Sequence, residues 1–264
     1  MLLIYLAAKE NIIQEGWIMR SYTLVALLCL GCGLGAASYK LFVHEWNKLI
    51  LTHHWPQTFC TMESCHTEFG YWTLHGLWPD KGDMCNSSWH FNATLIEDLM
   101  PQMKKFWPDL LHSGPATSTV FWKHEWIKHG TCAVQSETLD TEHKYFSKAL
   151  ELYSKLDLDG TLKTHNIVPS ETYYMLDDIE GVIQSFYKVK PKIQCYHPKK
   201  GEQILGQIEI CFNKEYTLMD CQTSEEDTIN HPNDILSFQP YANAGFIVCD
   251  RNIKVYYPPL KGKP

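Results

Sequence analysis

An uncharged apolar run closes the first 37 residues of this chain, and eight cysteines follow it. Residues 22–37 (YTLVALLCLGCGLGAA) carry no charge, Arg20 stands before them, and Gly35, Ala36 and Ala37 end them. That is the layout of a secretory signal peptide cut after Ala37. The run is short for a membrane-spanning helix, so no anchor is expected after cleavage. Met19 is a second candidate start, which would make residues 1–18 an upstream extension belonging to no fold. Cys29 and Cys32 are spaced as a CxxC, but an apolar leader explains them better than a redox motif. Cys60, Cys65, Cys85, Cys132, Cys195, Cys211, Cys221 and Cys249 remain. An even number in an exported chain predicts up to four disulfides and a fold stapled across its loops. Spacing alone leaves the pairing open.

The rest reads as globular. Hydrophobic residues make up 45% and charged residues 20% of the chain, which excludes a mostly disordered protein. One apolar run excludes a polytopic membrane protein. The net charge of −7 disfavours a DNA-coating protein. It leaves a nucleic-acid enzyme open, because local charge decides what a cleft attracts. No repeat or Gly/Ser linker divides residues 38–264, so one domain is expected there. Periodicity predicts helices over 94–107 (a Thr94–Glu97 capping box, kinked at Pro101), over 141–156 with Gly160 as a stop, and over 171–187, broken near Gly181. Strands are expected at 71–75, 204–212, 216–220, 245–249 and 252–257. A 204–220 hairpin brings Cys211 and Cys221 within bridging distance. Helices and an antiparallel sheet in separate blocks define an α+β fold: a central antiparallel sheet packed with several helices. Asn86-Ser87-Ser88 and Asn92-Ala93-Thr94 have the form of glycosylation acceptors.

Two segments concentrate the chemistry: Trp72 to Asp80 (WTLHGLWPD) and Phe121 to Cys132 (FWKHEWIKHGTC). Take the second as a helix ended by Gly130, with His124 at zero. Lys128 then falls near 40°, Glu125 near 100° and His129 near 140° at about 100° per residue. Glu125 and His129, four apart, can touch, and a carboxylate beside an imidazole raises its pKa. Two imidazoles, a carboxylate and an ammonium on one stripe suit a phosphate that gains charge in a transition state. Trp122 and Trp126 read as core. A zinc site is the competing reading. The metalloprotease motif needs histidines at i and i+4, whereas His124 and His129 are five apart, so no metal and no cofactor is expected. Lys188, Lys190, Lys192, Lys199 and Lys200 cluster within a short stretch; such a run is usually a solvated face, with RNA attraction the alternative.

The segments His75-Gly-Leu-Trp-Pro-Asp80 and Phe121 to Cys132 resemble the two active-site segments of the ribonuclease T2 family, the secretory acid endoribonucleases. Pro191 to Cys195 and Gly206 to Cys211 are similar to its later core segments, and the resemblance spans about residues 40–260. It implies His75, Glu125 and His129 as catalytic residues, His124 and Lys128 as phosphate supports, and Trp78, Asp80 and Phe121 as base contacts. It also implies the bridges Cys60–Cys65, Cys85–Cys132, Cys195–Cys249 and Cys211–Cys221. The implied reaction is endonucleolytic cleavage of single-stranded RNA. The ribose 2′-hydroxyl attacks, with His129 as base and His75 as acid, through a 2′,3′-cyclic phosphate to 3′-phosphate ends. It needs no metal and favours acid pH. A secreted or lysosomal monomer is expected. A non-catalytic secreted effector on the same fold is the rival class; intact His75, Glu125 and His129 speak against a dead enzyme.

Overall fold

In β1 (Leu49–His54), β2 (Thr73–Pro79) and β5 (Gln203–Phe212), neighbouring residues face opposite sides of one sheet, because side chains alternate along a strand. Leu51, Leu77, Ile208 and Ile210 are fully buried. Strand order is β2-β1-β5-β4-β7, all antiparallel, with β4 at Lys192–Tyr196 and β7 at Phe246–Val248. The short β6 (Leu218–Met219) adds to β5, and β3 (Tyr173–Tyr174) pairs with β8 (Val255–Tyr256). One pairing departs from the antiparallel expectation: β8 runs parallel to the start of β5, so the sheet is mixed. This computed structural model describes residues 45–112, 118–221 and 245–260, all within the compact unit His44–Pro264. The leader at 1–37 lies outside the described residues.

Six helices accompany the sheet among the described residues: α1 (Pro56–Glu63), α2 (Met100–Phe106), α3 (starting at Ser118–Glu125), α4 (Glu142–Lys155), α5 (Leu158–Thr164) and α6 (Leu176–Tyr187). α4 matches its predicted span, with the Thr141 hydroxyl capping its N-terminus. Its Tyr145 hydroxyl donates to Leu77 O at 2.8 Å, and Tyr153 to Trp72 O at 2.6 Å, so α4 is pinned along β2.

Several boundaries moved. Residues 93–99 form a 3₁₀ segment, and α2 begins only at Met100. Pro101, having no N–H to lose, opens α2 rather than kinking a longer helix. The cap is Asn92, whose Oδ1 accepts from Thr94 N and Thr94 Oγ1, rather than a Thr94–Glu97 box. Gly160 does not stop α4. Leu156 leaves the helix with extended backbone, and Gly160 donates its N–H to the Asp157 carboxylate that caps α5. α6 runs unbroken through Gly181, and the stretch before it belongs to β3. β1, α1 and β4 are elements that no periodicity argument had located.

Four disulfides join Cys60–Cys65, Cys85–Cys132, Cys195–Cys249 and Cys211–Cys221, the pairings that the family resemblance implied. Cys211–Cys221 closes the β5–β6 hairpin. Cys85–Cys132 ties the loop after β2 to the end of α3.

Candidate active site

His75 sits at an irregularity in the sheet. Thr52 pairs with Gly76 and His53 with Leu74, which leaves His75 as the extra residue of a β-bulge. A bulge re-aims its side chain and recurs beside active sites. Alternation from Thr73, which pairs with His54, puts the His75 ring on the face carrying His54, and the two rings stack with centroids 4.6 Å apart. Two indoles hold the bulge. Trp107 Nε1 donates to His75 O at 2.6 Å, and Trp122 Nε1 donates to Trp107 O at 2.8 Å. Trp122 lies on α3, so the helix carrying the second segment is tied through tryptophans to the strand carrying the first.

α3 does not end at Gly130. It widens into a π-helical turn over Trp126–Gly130 and continues to Ala133. At Gly130, within that turn, the Trp126 ring lies so close that a Cβ would collide with it. A π turn bonds i to i+5, so residues five apart come into line. His129 lies within that turn and His124 before it, so the 140° of an ideal α-helix does not apply across the pair. Even so, among the described residues no group of three or more His, Cys, Asp or Glu side chains is arranged to hold a metal.

Trp78 links the two segments. Its indole N–H donates to Glu125 Oε2 at 2.9 Å, and its ring lies 4.9 Å from His75 and 5.1 Å from His129. Gly76 lies beneath that bond. A Cβ there would come within 2.7 Å of Trp78 Cε2 and closer still to Trp78 Nε1 and Glu125 Oε2. Glu125 is only 1% exposed and His75 7%.

Burial sets the protonation states. It pushes the Glu125 carboxyl up to about 8, against the opposing pull of the Trp78 bond and Lys128. It lowers His75 to about 4; the bond to Gln207 opposes that and Lys128 adds to it. His124 is lowered to about 4 by burial, with Lys128 and His75 adding to it. His129 is driven well below the usual imidazole range by burial, with Lys128, His124 and His75 adding. This corrects the expectation that Glu125 raises the His129 pKa. The carboxyl is too buried to ionise at neutral pH, so it brings no charge to the imidazole.

The other expected residues are placed as follows. Phe121 is buried, with its ring 6.0 Å from His75. Asp80 Oδ1 accepts from Asn47 N and Lys48 N, fixing the chain as it enters β1. In the lysine run, Lys199 pairs with Glu202 at 2.8 Å on a solvated face, whereas Lys192 reaches the buried Glu209 at 3.7 Å. Asn86 and Asn92 each accept from the hydroxyl two residues on, at 2.6 and 2.8 Å. His54, Trp107 and Gln207 also shape the site. None of them has a role at the site from the sequence alone, although Gln207 lies in the family-like segment Gly206 to Cys211.

The profile of the Ribonuclease T2 family matches residues 46–221. The chain is 58% identical over 219 residues to ribonuclease T2 of Danio rerio, covering 82% of this chain and 89% of that protein. The chain belongs to the ribonuclease T2 family. Its fold is similar to the crystal structure of human RNase T2, with a TM-score of 0.68 and 41% identity over 82% of this chain and all of that one. It is also similar to RNase NT in complex with 5′-AMP, with a TM-score of 0.65 and 25% identity over 81% of this chain and 99% of that one. The chain is thus a ribonuclease, and RNA is its substrate.

Proposed function

We propose that this ribonuclease cuts single-stranded RNA internally by attack of the ribose 2′-hydroxyl, without a metal and best at acid pH. His129 takes the 2′-hydroxyl proton and His75 protonates the leaving 5′-oxygen. A 2′,3′-cyclic phosphate forms as the chain breaks. Hydrolysis with the two roles reversed leaves a 3′-phosphate. The observation that carries this reading is Trp78, whose one ring packs against both imidazoles.

Charge follows from the same burial. The free site holds Lys128 as its fixed cation, a Glu125 that is neutral below about 8, and imidazoles neutral above about 4. An arriving phosphodiester anion favours the protonated imidazoles. Lys128, His124 and the Glu125 acid then face the pentacoordinate phosphorus. Because His75 must carry a proton while burial depresses its pKa, turnover rises as pH falls. His129, more strongly depressed, stays neutral and able to act as base. Trp78 and Phe121 line a base subsite by stacking, joined by the second carboxylate oxygen of Asp80. The secretory pathway, secreted or lysosomal, is the proposed location; four disulfides support it, since such bonds persist in oxidising compartments. Among the described residues no helix is long and apolar enough to cross a membrane. Asn86 and Asn92 are proposed to carry glycans, and the mature chain to be a monomer.

The test is cleavage of single-stranded RNA across pH 4–8, with and without chelator, with product ends identified. Cyclic and 3′-phosphate ends, indifference to chelator, and resistance of RNA bearing one 2′-deoxyribose at the cut site are expected. Equal cleavage of the deoxy substrate, or loss of activity with chelator, overturns the proposal. His75→Phe and His129→Phe should each nearly abolish turnover in a folded protein.

A further inference from the structure

The catalytic strand does not orient His75 alone. His75 Nδ1 lies 2.7 Å from Gln207 Oε1, on β5, two strands away. Gln207 Nε2 in turn donates to Gln194 Oε1, on β4, at 3.0 Å. The register explains the alignment: Gln207 is paired with His54 on one side and Gln194 on the other. Period-two alternation therefore places these three side chains on one face of the sheet. Gln207 is 6% exposed, so its amide is held by these partners rather than by solvent. A carbonyl oxygen only accepts, so Nδ1 must carry a hydrogen in this arrangement. Gln194 fixes which end of the Gln207 amide faces the imidazole.

We propose that Gln207, anchored by Gln194, is the positioning residue of the acid–base histidine. It fixes Nδ1 as the protonated nitrogen of His75 and leaves Nε2 to exchange the catalytic proton. The same acceptor stabilises the imidazolium, because a hydrogen bond to the charged form favours it. His54 closes the other side: its ring stacks between Phe59 and His75, and neither of its buried nitrogens has a hydrogen-bond partner among the described residues. His54 thus packs His75 without offering its nitrogens a competing acceptor. The charged and titratable groups around His75 are His54 from β1 and His124, Glu125, Lys128 and His129 from α3. The Lys192–Glu209 pair lies two ladder positions from Gln194–Gln207 along β4 and β5, on the same face.

The kinetic half of this inference rests on the proposed RNA cleavage; the tautomer half does not. The experiment records ¹⁵N imidazole shifts of His75 in the free protein, together with pH profiles of kcat and KM. Wild type is expected to show the Nδ1–H tautomer. Gln207→Leu should populate the Nε2–H tautomer, lower kcat about ten- to hundredfold with little change in KM, and move the alkaline limb to lower pH. Gln207→Glu keeps an oxygen acceptor in a nearly isosteric side chain. It should restore the Nδ1–H tautomer and move that limb upward by about one unit or more. If Gln207→Leu fails to fold, Gln207→Glu and Gln194→Met still read the tautomer and the limb, with Gln194→Met giving a smaller drop in kcat. An Nε2–H tautomer in wild type overturns the proposal, and so does a pH profile indifferent to Gln207→Glu. A wild type that cuts no RNA but shows the stated tautomers removes the functional reading and leaves the positioning role standing.

Discussion

Gly76→Ala is the sharpest test of how the site is built. Gly76 does not have the positive φ of a left-handed residue, so alanine is acceptable to the backbone and the substitution tests space alone. The new methyl carbon would stand 2.7 Å from Trp78 Cε2 and nearer to the indole nitrogen and Glu125 Oε2. Those two atoms form the 2.9 Å bond between the segments. Leaving a buried partner unsatisfied costs about 1–3 kcal/mol. Displacing a packed indole costs about 1–3 kcal/mol more. A loss of roughly 2–6 kcal/mol is therefore expected in urea unfolding at pH 5.5. Trp78 also packs against both imidazoles, and a displacement of about 1 Å at reacting groups costs about a hundredfold in rate. Cleavage kcat/KM should fall by at least that much in the fraction that remains folded. A double-mutant cycle localises the cause: with Trp78→Ala already present, Gly76→Ala should cost at least about 1 kcal/mol less. A Gly76→Ala protein with wild-type unfolding midpoint and activity would refute the account of this site. So would full additivity with Trp78→Ala.

Stability should peak in mildly acid solution. The raised carboxyls of Glu125 (about 8), Glu142 (about 7) and Asp159 (about 6) stay protonated in the folded state while they ionise in the unfolded chain near pH 4, so stability falls as pH rises toward 8. The depressed imidazoles work oppositely: His53, His75 and His124 are each lowered to about 4 and His54 and His129 further still, so stability falls as pH drops below the ordinary histidine range toward 4. The two trends meet at about pH 6–7, so urea midpoints at pH 6.5 should exceed those at both 3.5 and 8. A maximum at pH 8 would contradict the burial argument. Glu125→Gln mimics the neutral acid and should reduce the alkaline fall while leaving the midpoint at pH 5 nearly unchanged; an unaltered alkaline fall would mean Glu125 ionises freely. Tyr145→Phe removes the bond to Leu77 O and should cost about 0.5–1.5 kcal/mol in urea unfolding, with no change expected from an exposed hydroxyl.

The chemistry was legible because it is written in contiguous strings. His75 to Asp80 and Phe121 to Cys132 each carry several site residues, and α4 declared itself through regular spacing from Tyr145 to Tyr153. What escaped the sequence is longer in range. β1 is buried along nearly its whole length and so lacks the polar alternation of a half-solvated strand, while β4 alternates but over only five residues. The π turn in α3, where the Trp126 ring lies against a Gly130 that has no room for a Cβ, is something a residue count at 100° per residue has no means to register. Gln207 stands 132 residues from the histidine it touches. Only strand register joins the two.

The expectation about Glu125 failed for a reason that bears on the whole site. A count of side chains gives a carboxylate, an ammonium and three imidazoles, and so an ion-rich cleft. Folding closes tryptophans around those groups, and desolvation then outweighs their mutual attraction. The carboxylate takes a proton, the imidazoles shed theirs, and Lys128 is left as the fixed positive charge of the group. Such a site gains little by attracting RNA at long range, which agrees with a chain of net charge −7 and a lysine run partly paired with glutamates. Its charge develops when a phosphodiester enters, because the anion raises the pKa of every imidazole it meets. The low pH that fills His75 with a proton also keeps Glu125 neutral. On the proposed mechanism, acid conditions would serve both the stability and the protonation state of one cluster, with the same desolvation as the cause of both.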